Sequence, residues 1–147
     1  MVQKRDNLDS RIVLLLVRGE SHVRGVAKSL GESHSTVQRK LNRLVRENVL
    51  DYKEEGRNKV FFIKKNLQAK NYVYNAERHK LMELLRTYLE LNVIAEEVLR
   101  KCGERLIVIF GSYAKFAAKK NSDIDIYIET KDARVKQQIE SIHSRIN

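Results

Sequence analysis

The stretch Leu106-Ile107-Val108-Ile109-Phe110-Gly111-Ser112-Tyr113-Ala114-Lys115-Phe116-Ala117-Ala118-Lys119-Lys120-Asn121-Ser122-Asp123-Ile124-Asp125-Ile126-Tyr127-Ile128 decides the reading of this chain. Its two apolar runs, Leu106 to Phe110 and Ile126 to Ile128, read as strands. Between them stand a Gly-Ser turn, a short helix and a loop. The second strand is expected to open with Asp123-Ile124-Asp125. Side chains alternate across a strand, so the two carboxylates share a face. Neighbouring carboxylates repel unless a cation lies between them, and hard oxygen ligands favour Mg²⁺. Gly111 lets the backbone come close to a phosphate. Ser112 stands at a helix N-terminus, where free N–H groups and the dipole attract anions. On that helix Ser112, Lys115 and Lys119 share one face at i, i+3 and i+7, flanking a phosphate tail with two cations. Alone, a Gly-Ser turn or an Asp-x-Asp is an ordinary structural feature. Together on a strand–helix–strand frame they point to a nucleoside triphosphate.

The frame and spacing resemble the DNA polymerase β-like nucleotidyltransferases, most of all their minimal branch. That branch runs Gly-Ser-x-Ala-Arg-Gly-x-Ala through to Ser-Asp-Ile-Asp. Gly111, Ser112, Ala114, Ala118 and Ser122 to Asp125 fit, whereas Lys115 stands for the arginine and Phe116 for the glycine. The resemblance implies catalytic, metal-holding roles for Asp123 and Asp125 with Mg²⁺ as cofactor. It implies nucleotide binding by Gly111, Ser112, Lys115 and Lys119. It also implies transfer of a nucleoside monophosphate to an acceptor, and in some relatives a helical partner protein. The third carboxylate of the family is not found: Glu129, Asp132 and Glu140 do not stand on a further strand.

Composition adds nucleic acid to the reading. The 147 residues carry 29 Lys+Arg against 19 Asp+Glu, a formal charge of +10. Most of the excess lies in residues 1–65, as expected of a module that meets a phosphate backbone. The single cysteine, Cys102, cannot form an internal disulfide and reads as a buried, inert thiol, so a reducing cytoplasm is the expected location. The apolar run Ile12 to Val17 is flanked by Arg11 and Arg18 and is too short to span a membrane.

Residues 1–65 read as a winged helix-turn-helix. A helix is expected over residues 9–18 with Gly19 as its cap, and a second starts at Ser21 with Val23, Val26, Ala27 and Leu30 at core spacing. Gly31 makes the turn, and a third helix spans residues 34–47 with Val37, Leu41, Leu44 and Val45 inward. Two strands, 49–52 and 60–63, form the wing around Gly56. In such a module the third helix enters the major groove of double-stranded DNA. The DNA-binding residues expected are Ser35, Thr36, Gln38, Arg39, Arg43 and Arg46 on that helix and Arg57 and Lys59 on the wing. Glu54 and Glu55 weaken the wing's part. Winged helices also bind proteins and dimerise, so a homodimer fits the same pattern.

Residues 66–103 read as a helical connector with Tyr72 and Tyr74 as packing residues. Residues 104–147 read as an incomplete nucleotidyltransferase domain, ending in a helix over 132–146 with Val135, Ile139, Ile142 and Ile146 on one face. The fold class is α+β: a winged helix-turn-helix, a helical connector and a partial nucleotidyltransferase α/β sheet domain. Two functions remain open at this level. One is a DNA-binding protein that binds Mg-NTP and transfers nucleotide to a protein or nucleic-acid acceptor. The other is a transcriptional regulator whose degenerate domain senses nucleotide or dimerises without catalysis.

Overall fold

The computed structural model describes residues 3–102, 106–130 and 134–135. The chain is α+β and divides into two compact units, Met1–Leu81 and Met82–Asn147. In the first, α1 (Gln3–Val17), β1 (Ser21–His22), α2 (Val23–Leu30), α3 (His34–Arg46), β2 (Leu50–Glu55) and β3 (Asn58–Ile63) follow in winged-helix order. The strands form one antiparallel sheet in the order β1-β3-β2.

Local chemistry sets the ends of α3. The Ser33 hydroxyl accepts from the Thr36 N–H at 3.2 Å, which caps the start. At the other end Asn48 adopts φ 60, and the Asn48 and Val49 N–H groups donate to the Val45 and Leu44 carbonyls at 3.0 and 2.9 Å. This closure suits asparagine because it tolerates the left-handed region. Between the caps Val37, Leu41 and Leu44 are fully buried, packed in one core with Ile12, Val13 and Leu16 of α1, Val26 of α2 and Phe61 of β3. The third-helix stripe is therefore as expected, with Val45 only partly buried.

Several boundaries differ. The first helix begins at Gln3 rather than residue 9, and Gly19 does not take a left-handed cap. Ser21 starts no helix. It pairs with Phe61 in β1, and α2 begins at Val23. Pairing with a strand far along the chain overrides the local helical pattern there. The wing strands are longer than expected and meet at a two-residue turn, Gly56-Arg57. Only Gly56 of the two has positive φ, 60°, as a type II′ hairpin requires.

Next comes α4 (Leu67–Thr87), which sets Ala69, Tyr72, Val73 and Ala76 against the first core, while Tyr74 is exposed and not the packing residue expected. The helical period breaks after Thr87. The Asn92 side-chain amide donates to the Leu85 and Leu89 carbonyls at 2.8 and 3.3 Å, and α5 (Glu90–Cys102) begins afresh. In the second unit β4 (Ile107–Phe110) and β5 (Asp125–Ile128) are antiparallel, joined through α6 (Gly111–Ala114). Ile107, Ile126 and Ile128 pack with Ile94, Val98 and Val135. Val108, Phe110 and Tyr127 lie exposed on the opposite face. Of the C-terminal helix expected over 132–146, only Arg134 and Val135 lie within the described residues; both are helical and Val135 is buried. Asp132, Glu140, the later isoleucines and the Cys102 thiol lie outside them. Among the described residues no helix is long and apolar enough to cross a membrane.

Tyr113 of α6 is 4% exposed, in a cluster with Leu84 and Leu91. Burial pushes its phenol above the ordinary value of 10.0, and the charge and hydrogen bond of Glu90 push the same way. The fold thus favours the neutral phenol. That contribution is present in full below about pH 10 and is lost as pH rises through the raised value. Denaturant midpoints measured from pH 8 to 11 should fall more steeply in the wild type than in Tyr113→Phe. Equal slopes would contradict the burial argument.

Candidate functional site

Gly111 follows β4 and opens α6 with φ 68, and Phe110 is the cross-strand partner of Asp125. A Cβ built on Gly111 would lie 1.8 Å from Asp125 Oδ2 and 2.8 Å from its Cγ. The carboxylate therefore occupies the volume that any other residue at 111 would fill. Glycine is required twice here, for the backbone angle and for the space.

The second acidic residue is placed differently from expectation. The β4–β5 ladder opens at Asp125, and Asp123 precedes it. Burial nevertheless alternates back through this segment. Ile124, Ile126 and Ile128 pack inward, Asp125 is half-buried, and Asp123 and Tyr127 are exposed. Ile124 is the anchor, since it packs on both small cores of the second unit. Ser122 serves the preceding loop: its hydroxyl accepts from the Lys119 N–H at 2.8 Å, and its own N–H donates to the Lys119 carbonyl at 2.9 Å.

The helix after Gly111 is a single turn, so Ser112, Lys115 and Lys119 do not share a helical face. Phe116 stops it by adopting φ 56. The Phe116 N–H donates to the Tyr113 carbonyl and the Ala117 N–H to the Ser112 carbonyl, both at 2.9 Å. This is a Schellman closure, whose left-handed residue is ordinarily glycine. The phenylalanine carries a backbone cost of about 1–2 kcal/mol. Its ring stacks on Tyr88 at 6.4 Å, and Tyr88 meets Tyr113 edge-on at 4.9 Å. Aromatic packing of this kind returns about 0.5–1.5 kcal/mol. Lys115 and Lys119 are exposed beside this cap.

Asp123 and Asp125 are carboxylates that suit a hard divalent ion, which usually takes one or two such ligands and completes its shell with water and phosphate oxygens. Among the described residues no group of three or more His, Cys, Asp or Glu gathers to hold a metal. Glu129, just past β5, is exposed and bonds through its N–H to the Leu106 carbonyl at 3.0 Å.

A second candidate surface lies on α3. Ser35, Gln38, Arg39 and Arg46 are exposed, and among the described residues neither arginine has an ion pair. The Thr36 hydroxyl accepts from that of Ser33 at 2.8 Å, so it belongs to the cap. Arg57 tips the wing, and Lys59 lies 4.0 Å over the Tyr52 ring. Lys53 is held by Glu20 and Glu55 at 2.5 and 3.0 Å. Arg43 is held by Asp9 and by Glu47, and Lys40 by Asp9 at 3.2 Å. Sequence reasoning missed Asp9 and Glu47. Glu47 stands at i+4 from Arg43, a spacing the sequence does show, whereas no local pattern signals Asp9, which lies on a different helix.

Residues 91–146 match the family model described as a nucleotidyltransferase domain. No curated protein matches the chain. Among solved structures it is similar to the adhesin competence repressor AdcR of Streptococcus pyogenes, at 21% identity over 67% of this chain and 80% of that one, with a TM-score of 0.46. It is also similar to two mutant forms of Lactococcus lactis ZitR. One is 21% identical over 57% of both chains, with a TM-score of 0.46. The other is 22% identical over 68% of this chain and 81% of that one, with a TM-score of 0.45. The winged-helix assignment rests on element order and strand register instead.

Gly111→Ala and Gly56→Ala both place a side chain at positive φ, which costs about 1–2 kcal/mol each. Open space surrounds Gly56, whereas the new methyl at 111 meets Asp125. Gly111→Ala should therefore lose more stability in urea melts than Gly56→Ala, because only the former adds a clash to the strained backbone angle. Equal losses in the two variants would contradict the geometry.

Proposed function

We propose that this chain, whose residues 91–146 match the nucleotidyltransferase domain model, is a DNA-binding winged-helix protein that binds a nucleoside triphosphate with Mg²⁺ in that segment. The observation that carries the reading is the Asp125 carboxylate lying on the Gly111 backbone. It sets one carboxylate of the acidic pair against the turn. Asp123 and Asp125 would hold the divalent ion, which lends positive charge to the triphosphate and to the attacked phosphorus. The turn at Gly111-Ser112 receives the phosphate tail. Lys115 and Lys119, off any shared helical face, reach it as flexible surface cations rather than as a fixed clamp. The short α6 is steadied by the Tyr113–Tyr88–Phe116 packing behind it.

Transfer of a nucleoside monophosphate to a hydroxyl acceptor is the activity this arrangement fits: the acceptor oxygen bonds the α-phosphorus, its proton is lost, and the bond to the β-phosphate breaks to release pyrophosphate. A binding-only domain is the second reading, favoured by one observation: no third acidic residue joins Asp123 and Asp125 among the described residues. The winged-helix unit supports duplex binding through Arg39, Arg46, Ser35 and Gln38 of α3 and Arg57 and Lys59 of the wing. A homodimer would present two such helices to two half-sites.

Mg-ATP or another triphosphate should raise the unfolding midpoint, by about 2.7 kcal/mol of stability at a hundredfold excess over Kd. Asp123→Asn with Asp125→Asn should remove the Mg²⁺-dependent part. Label moving from an α-labelled nucleotide to an acceptor would establish the enzyme reading. Binding without transfer would establish the second, and no Mg²⁺-dependent binding would refute both.

For the duplex, the logarithm of affinity should fall with the logarithm of salt. Arg39→Ala with Arg46→Ala should flatten that slope by about 0.9 for each phosphate no longer neutralised, with little change in thermal stability. An unchanged slope would remove α3 as the DNA-facing element.

A further inference from the structure

Arg39, Arg43 and Arg46 follow one another at helical spacing and by sequence form a single basic stripe. Their environments differ. Arg43 is engaged by Asp9 of α1, and its Nε lies 3.5 Å from Glu47 Oε1. Lys40 reaches the same Asp9 at 3.2 Å. Glu47 in turn accepts from the Tyr72 hydroxyl of α4. Two carboxylates and two cations thus form a neutral cluster joining α1, α3 and α4. The Asp9 side chain is only 16% exposed, and a carboxylate so nearly buried requires its partners. Drawing Arg43 away to a phosphate would strip Asp9 of one of them.

We infer that Asp9 is a positioning residue for the DNA-facing helix. It withdraws Lys40 and Arg43 from the surface offered to DNA and fixes the rotation of α3, so that Arg39 and Arg46 are the cations that meet phosphate. The inference rests on the DNA-binding reading. Its physical basis is charge balance. A neutral cluster releases no counterions on binding, whereas Arg39 and Arg46, with no ion pair among the described residues, do. Glu47 and Tyr72 complete the device by tying the far end of the cluster to α4, and the Glu47 carboxylate together with burial holds the Tyr72 proton in place.

The test is the salt dependence of binding to a random-sequence duplex, measured by fluorescence anisotropy on the full chain. Arg39→Ala should flatten the slope by about 0.9. Arg43→Ala should leave it unchanged while lowering the melting temperature. Asp9→Asn should steepen the slope by roughly one, because a freed cation gains a phosphate. Asp9→Glu, which keeps the carboxylate, should restore the wild-type slope and so separates charge from a merely altered fold. In melts, Asp9→Ala combined with Arg43→Ala should cost less than the two singly added. Flattening by Arg43→Ala equal to that by Arg39→Ala overturns the inference and leaves DNA binding standing. A slope that no arginine variant moves removes DNA binding itself, and the inference with it.

Discussion

A carboxylate lies where a Cβ would otherwise be, and the second unit is arranged around that close approach. Asp125 reaches Gly111 because β4 and β5 pair in the register that sets Phe110 against Asp125. The register depends on isoleucines packing inward from both strands against α5. A slip of one residue would turn Ile126 and Ile128 to solvent and Asp125 towards the core. The same apolar burial that holds the small sheet therefore also selects which face carries the Asp125 carboxylate.

The first unit follows a similar logic with a different kind of interaction. Its core of aliphatic side chains and Phe61 holds α3 in place, and polar chemistry at the rim decides which cations stay free. Several basic side chains are neutralised within the fold: Arg11 by Glu32, Lys53 by Glu20 and Glu55, Lys40 and Arg43 by Asp9. Net charge thus overstates the surface available to a phosphate backbone. Exposed pairs such as Arg11–Glu32 add little stability, but they do redistribute charge.

The core stripe of α3 is legible in the sequence because Val37, Leu41 and Leu44 repeat at helical spacing between a serine cap and an asparagine close. The Gly-Ser turn and the acidic pair are legible because glycine and carboxylates have few roles between two apolar runs. Other features are hidden. β1 is two residues long and exists only through β3. The α4–α5 break depends on an Asn92 side chain that bonds the backbone, which periodicity does not reveal. The length of α6 is misread from sequence because a phenylalanine, not a glycine, occupies the left-handed closing position. With glycine there, the helix end would be visible, and Lys115 and Lys119 would not be set on a common face. The role of Arg43 needs Asp9, which lies on another helix.

Gly111, Ser112, Asp123 and Asp125 together form one site for a divalent ion and a phosphate tail, on the reading proposed above. Mn²⁺ added with a non-hydrolysable nucleoside triphosphate tests it most directly, because the ion broadens amide resonances near it in a nitrogen-edited spectrum. The account predicts broadening centred on residues 111–112 and 123–125, and its loss with Asp123→Asn and Asp125→Asn. Broadening centred elsewhere, or spread evenly over exposed acidic side chains, would contradict it.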